Sequence, residues 1–213
     1  MSEEVLQSKT KRHANFRLRY VSSFATELLE IQADEPTFHV LFIPGNPGVV
    51  TFYIDFMESL FELLGGLVGH ISHTKQNWEH GMLFSLQEQI DHKVEFIKQE
   101  FPNNEVPIIL YHTMRNILFL VHTEFEKLAE MPDWEFMRDK KEKIAFLFGS
   151  DDHWGPLQFY EEISRQVPGI ALSIERKGQG HYFCCFEDCS YWVAHHVATL
   201  INNQISRSRS SSL

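Results

Sequence analysis

Apolar positions along the chain change period from place to place, and each period marks an element. Phe38–Ile43 (FHVLFI) is a nearly unbroken apolar run ended by Pro-Gly-Asn-Pro-Gly. That pattern predicts a buried central strand entering a tight loop. Upstream, Asn15–Val21 and residues 26–31 are short runs rich in β-branched or aromatic residues, joined by Ser-Ser-Phe-Ala, and they predict a hairpin. Over residues 51–64, Phe52, Phe56, Leu60 and Leu64 recur four apart before Gly65-Gly66, which predicts a helix with one face on the sheet. Residues 67–72 read as a further strand.

Ser85-Leu86-Gln87-Glu88 has the spacing of a capping box, and Ile90, Val94, Ile97 and Phe101 continue as the stripe of a helix that Pro102 ends. Residues 106–110 (VPIIL) predict a buried strand that passes without any glycine into Tyr111-His112-Thr113-Met114 and a helix to Glu130. Strand 144–148, helix 156–167 with proline at its start, strand 170–175 and helix 187–205 follow. Strand alternating with helix predicts a parallel α/β sheet covered on both faces, a three-layer sandwich. Residues 1–205 read as a single domain with no internal repeat. Residues 206–213 (SRSRSSSL) have nothing to bury and read as a disordered polar tail.

Composition narrows the function classes. A chain of 213 residues with 43% hydrophobic residues and 18 Phe can bury a sizeable core. A net charge of -10 provides no broad positive field for phosphates, so nucleic acid is not an expected partner. The three cysteines, Cys184, Cys185 and Cys189, lie within six positions and suggest a reducing compartment rather than a disulfide framework. No apolar run has the length of a signal peptide or a transmembrane segment.

Residues just beyond the carboxyl ends of strands are where α/β sheets gather their chemistry. Three such loops carry reactive residues: Pro44-Gly45-Asn46-Pro47-Gly48, Ser150-Asp151-Asp152-His153-Trp154, and Gly178-Gln179-Gly180-His181. The glycines of the first permit close backbone approach, so its amides could face a developing oxyanion. A carboxylate after one strand and a histidine after the next match the Asp-then-His order of a hydrolase triad. Taken singly, Asp and His in loops are usually solvated turn formers; as an ordered pair, Asp152 and His181 are the candidates, with Asp151 the alternative acid. The carboxylate would hold the imidazole's tautomer, and the imidazole would act as general base and then general acid.

The nucleophile has no candidate. No Gly-x-Ser-x-Gly occurs; Ser72 in Gly69-His70-Ile71-Ser72-His73 is the nearest imitation, and Ser150 has no elbow either. The pairs His70/His73 and His195/His196 and the run His181-x-x-Cys184-Cys185-x-x-x-Cys189 contain no Cys-x-x-Cys, so no metal is expected. Neither phosphate-cradling glycine motif is present, and no cofactor is expected.

Residues 40–53 (VLFIPGNPGVVTFY) resemble the hallmark of the lipid-droplet-associated serine hydrolase family. Gly-His-Ile-Ser-His at 69–73, Gln89-Ile90-Asp91-His92-Lys93, GSDDHWGP at 149–156 and His181 before an aromatic pair extend the resemblance over roughly residues 16 to 200. It implies an α/β-hydrolase acting on a lipid or other carboxylic ester, on a lipid droplet or in the cytoplasm, with Asp152 and His181 matching the family's acid and histidine and Gly45 and Asn46 in its oxyanion loop. In that family a strand like VPIIL runs into a Gly-His-Ser-x-Gly elbow, then further sheet and a long apolar cap. Here Leu110 passes straight to Tyr111, so the resemblance implies an incomplete hydrolase lacking elbow and cap. Loss of the triad serine costs on the order of 10⁶ in kcat in a comparable enzyme. The expected product is a weak or inactive hydrolase or, as the alternative, a non-catalytic lipid-binding or interaction module.

Overall fold

A computed structural model describes residues 13–44, 50–66, 68–76, 86–101, 108–111, 132–152, 155–175, 178 and 182–210. Seven strands run β1 Asn15–Val21, β2 Phe24–Gln32, β3 Phe38–Ile43, β4 Val68–Gln76, β5 Ile108–Tyr111, β6 Ala145–Gly149 and β7 Ala171–Glu175. Five α-helices accompany them among the described residues: α1 Ile54–Leu63, α2 Leu86–Glu100, α3 Trp134–Asp139, α4 Leu157–Gln166 and α5 Glu187–Ser210. The first five strands form one sheet in the order β1-β2-β4-β3-β5, and β6 and β7 form a second, parallel sheet of their own.

The hairpin turns more tightly than its sequence predicted. Ser22 and Ser23 alone connect the strands, at φ 50° and 70°, and Phe24 already pairs with Val21. Positive φ at both central residues gives the turn whose twist matches that of the strands it joins. β2 continues antiparallel to β4, whereas β3 lies parallel between β4 and β5. β3 is the strand the sequence predicted, and β4 runs four residues beyond its predicted end.

Alternation along β2 and β3 sorts the core into two layers. Leu29, Ile31, Val40 and Phe42 meet Phe56, Met57 and Leu60 of α1 and Ala194, Ala198 and Ile201 of α5. Leu28 and Leu41 turn the other way, against Phe96 of α2. Helices thus cover both faces, as the α/β alternation predicted.

Two helical faces differ from the expected stripes. Phe52 is 46% exposed and Tyr53 is buried instead, because Val50–Tyr53 is a 3-10 turn. Three residues per turn then set Val50 and Tyr53, rather than Phe52, on the core side. In α2, Ile90 and Val94 are 46% and 44% exposed while His92 and Phe96 are buried. Of the expected stripe Phe101 is buried and Ile97 is partly buried, beside the fully buried Phe96. His92 follows it inward, its Nε2 3.2 Å from the Thr26 hydroxyl, which donates to the Phe24 carbonyl. Arg17 fixes the far edge by forking onto Glu30 at 2.7 and 2.6 Å, and Arg19 reaches Glu100 of α2.

The last helix does not stop at the polar tail: α5 continues through residues 206–210 to Ser210. Ser206 and Ser210 donate to the carbonyls four residues earlier, and Arg207 and Arg209 sit in the last turn, where positive charge favours the helix dipole. Helix α3 was not anticipated; Asp133 caps it by accepting from the Phe136 amide. The capping serine at 85 and the expected helix to Glu130 lie outside the described residues. Among the described residues no helix is long and apolar enough to cross a membrane.

Candidate active site

The strand ends that should carry chemistry are those of β3, β6 and β7. Gly149 and Glu175 close β6 and β7 as register partners, so the loops that follow them leave the sheet side by side. The Gly45 and Asn46 loop after β3, and His181 after β7, lie outside the described residues; their expected roles stand on sequence alone.

Asp152 is described. Its backbone turns back under the end of β6, and its Oδ1 accepts the Gly155 amide at 3.2 Å. Asp152 is half-buried where Asp151 and Ser150 are exposed. The Asx-type bond fixes the loop's direction into α4, and a side chain at Gly155 would rest in contact with the Asp152 carboxylate and the Phe148 ring. Of the two neighbouring acids, Asp152 therefore has the held geometry and Asp151 the solvated one.

A second carboxylate shares this end of the sheet. Glu175 is only 3% exposed. Alternation places it on the same side as Leu147, which packs against the large core that includes Cys184. No sequence argument singled it out, because a Glu ending a strand usually faces water.

Among the described residues, neither Ser72 nor Ser190 sits at a strand-to-helix elbow. Ser72 lies in mid-strand, paired with Glu30 on one side and Leu41 on the other, and thus in extended backbone rather than at a strand-to-helix elbow. Ser190, completely buried, donates to the Phe183 carbonyl at 3.3 Å and serves the short 3-10 turn Phe183–Cys185. β5 ends at Tyr111, where the sequence shows Tyr111-His112-Thr113-Met114.

Of the residues weighed as metal ligands, Cys184 is buried in the core and His196 packs on Trp192. Among the described residues no group of three His, Cys, Asp or Glu is disposed to hold a metal. Burial pushes the Cys184 thiol up to about 11, away from the thiolate that zinc requires. His196 stacks on Trp192 at 5.6 Å with the rings 8° from coplanar, and burial, then His195, lowers its pKa.

These features agree with the relatives. The pattern described as "Lipid-droplet associated hydrolase" matches residues 36–112 and 107–184. The two stretches overlap at the end of β5, so the family's pattern is interrupted there. "Lipid droplet-associated hydrolase" of Rattus norvegicus is 20% identical over 295 positions, covering 85% of this chain and 90% of the relative. Since 85% of 213 residues is far short of 295 positions, roughly a hundred positions of the relative stand opposite no residue here.

In three dimensions the chain is similar to a predicted CIB-like hydrolase from Thermoplasma acidophilum, with a TM-score of 0.59, 15% identity and coverage of 90% and 99% of the two chains. It is also similar to mouse alpha/beta hydrolase domain-containing protein 10, with a TM-score of 0.54, 11% identity and coverage of 89% and 99%. The fold is that of the α/β-hydrolases. With its family pattern spanning both sheets and interrupted at β5, this chain belongs to the lipid-droplet associated hydrolase family.

Proposed function

We propose that this chain is a lipid- or carboxylic-ester-directed member of its family, made as a single incomplete hydrolase domain, that carries out little or no serine-dependent turnover. The observation that carries the reading is the interruption itself. β5 is the last strand of the five-stranded sheet, and β6 pairs with β7 alone among the described residues. The family pattern breaks at the same place. A serine elbow supplies both the attacking hydroxyl and an oxyanion amide, and neither part has a counterpart in Tyr111-His112-Thr113-Met114.

On this reading Asp152 and His181 are the acid and the base of the ancestral triad, and Gly45 and Asn46 line its oxyanion loop. Without a serine to deprotonate, the imidazole has no proton to carry between nucleophile and leaving group. No metal or cofactor is required. Purified protein given a p-nitrophenyl acyl ester should hydrolyse it no faster than its His181→Ala variant does. A rate that falls tenfold or more in that variant contradicts the reading.

A lipid-binding role is favoured by a separate observation. Phe52, Leu157, Phe159, Tyr182 and Phe186 are all exposed, and all lie on the segments that follow β3, β6 and β7. Apolar groups gathered beyond strand ends suit contact with acyl chains or a droplet surface. Flotation with phosphatidylcholine-coated triacylglycerol droplets should carry the protein into the floating layer. Retention of folded protein in the aqueous layer contradicts that role.

A further inference from the structure

The 3-10 turn Phe183–Cys185 places two adjacent thiols in opposite surroundings. Cys184 is 5% exposed and belongs to the large core, while Cys185 faces solvent. One 3-10 turn holds the two thiols next to each other along the chain, and Tyr53 lies in the same core cluster as Cys184. Neither thiol is in a disulfide. We propose that Cys184 and Cys185 form a reversible oxidation site, in which a low-molecular-weight disulfide such as glutathione disulfide converts the adjacent dithiol to a Cys184–Cys185 disulfide.

Exposure fixes the order of events. The Cys185 thiolate attacks one sulfur of glutathione disulfide, forming a mixed disulfide and releasing one glutathione thiolate. Cys184 then attacks the Cys185 sulfur, and the second glutathione leaves as the thiol, taking the Cys184 proton. Two protein thiols are oxidised and one glutathione disulfide is reduced to two glutathiones. Burial is the main cause holding Cys184 as a thiol, and the charge of Cys185 adds to it. Capping Cys185 removes that charge, while the Tyr53 hydrogen bond favours the Cys184 thiolate.

Adjacent Cα atoms are about 3.8 Å apart across a trans peptide, closer than the roughly 4.4–6.8 Å of an unstrained disulfide. The bond is therefore strained and readily reduced, the property of a regulatory rather than a structural disulfide. Closing it also takes the turn out of 3-10 geometry. The turn is held by the Cys185 amide on the Tyr182 carbonyl at 2.9 Å and the Phe186 amide on the Phe183 carbonyl at 3.2 Å. Phe183 packs on Phe56 at 5.5 Å and on Tyr53 at 6.3 Å, so oxidation loosens the hold of this turn on α1.

Full-length protein incubated with glutathione disulfide and followed by intact mass and peptide mapping tests the assignment. The expected product has lost two hydrogens, retains no glutathione, and returns to the starting mass with dithiothreitol. Cys184→Ser should instead keep a stable glutathione adduct on Cys185. Cys185→Ser should stay unoxidised, and Cys189→Ser should behave as the parent does. A stable adduct on the parent protein, a disulfide that disappears in Cys189→Ser, or no reaction while denatured protein reacts would each overturn the proposal.

Discussion

In the five-stranded sheet, β3 lies between two partners, and Val40, Leu41 and Phe42 are 0–2% exposed. In the two-stranded sheet, β6 has β7 alone among the described residues; Ala145 is exposed, Phe146 and Leu147 are half-buried, and Phe148 is the best covered at 9%. FHVLFI and AFLFG are both apolar runs that would serve as central strands. What separates them is company: β3 has strands on both sides and helices above and below, whereas β6 owes its burial to Ile163, Val167 and Ile170 around α4 and to one contact of Leu147 with the larger core. A strand's hydrophobicity sets what it can bury, and the presence of neighbours sets what it does bury. A two-stranded unit has marginal stability by itself, so among the described residues β6 and β7 are expected to be less protected than β2 and β3.

The largest effect should come from the better-covered region. Phe56→Ala removes a ring that packs on both Phe42 and Phe183 and should cost about 3–5 kcal/mol in chemical denaturation. Ile163→Ala in the two-stranded region should cost about 2–3 kcal/mol. In hydrogen exchange its loss should be confined to β6, β7 and α4, leaving β2 and β3 protected. Equal loss of protection in all strands would show that the two sheets unfold as one and would dissolve the comparison.

A pH series separates the regions without touching either core. His92, under the five-stranded sheet, has its pKa lowered to about 4 by burial first and by Lys93 second. At pH above about 6.5 it is neutral in both folded and unfolded chains and contributes no pH dependence. As the pH falls from about 6.5 to about 4, the unfolded chain takes up a proton that the folded one refuses, so stability falls by at most about 3 kcal/mol and then levels. His92→Gln should flatten that slope in urea unfolding, and an unchanged slope would remove His92 as its cause. The smallest effect is a gain. Replacing Ser22-Ser23, both at positive φ, with Asn-Gly should raise the unfolding free energy measured in urea by about 0.5–1 kcal/mol.

Legibility followed the same division. FHVLFI was readable to the residue because a continuous apolar run between polar flanks has one solution, and the α/β alternation followed from runs of that kind. The stripe over 51–64 held at Phe56, Leu60 and Leu64 and missed at Phe52, where the 3-10 turn before Ile54 put Tyr53 inside instead; that of α2 held at Ile97 and Phe101 and missed at Ile90 and Val94, with His92 and Phe96 inside. The serines of the tail did not signal that the helix runs on through residues 206–210, with Arg207 and Arg209 in its last turn. At the candidate site, the Asp-then-His order favoured Asp152 and left Asp151 as the alternative acid; the Gly155 amide holds the Asp152 carboxylate in a turn and does not decide between them as acids. Glu175 was invisible because nothing in its sequence neighbourhood signals burial. The missing elbow was the one negative feature fully legible in the letters.

The most direct measurement is labelling with a fluorophosphonate probe, which modifies only serines activated by a base, on protein whose near-UV circular dichroism shows a cooperative thermal transition. The account predicts a folded protein that stays unlabelled. A labelled serine, with labelling lost in His181→Ala, would mean that this chain assembles a working nucleophile without the elbow and would contradict the account at its centre.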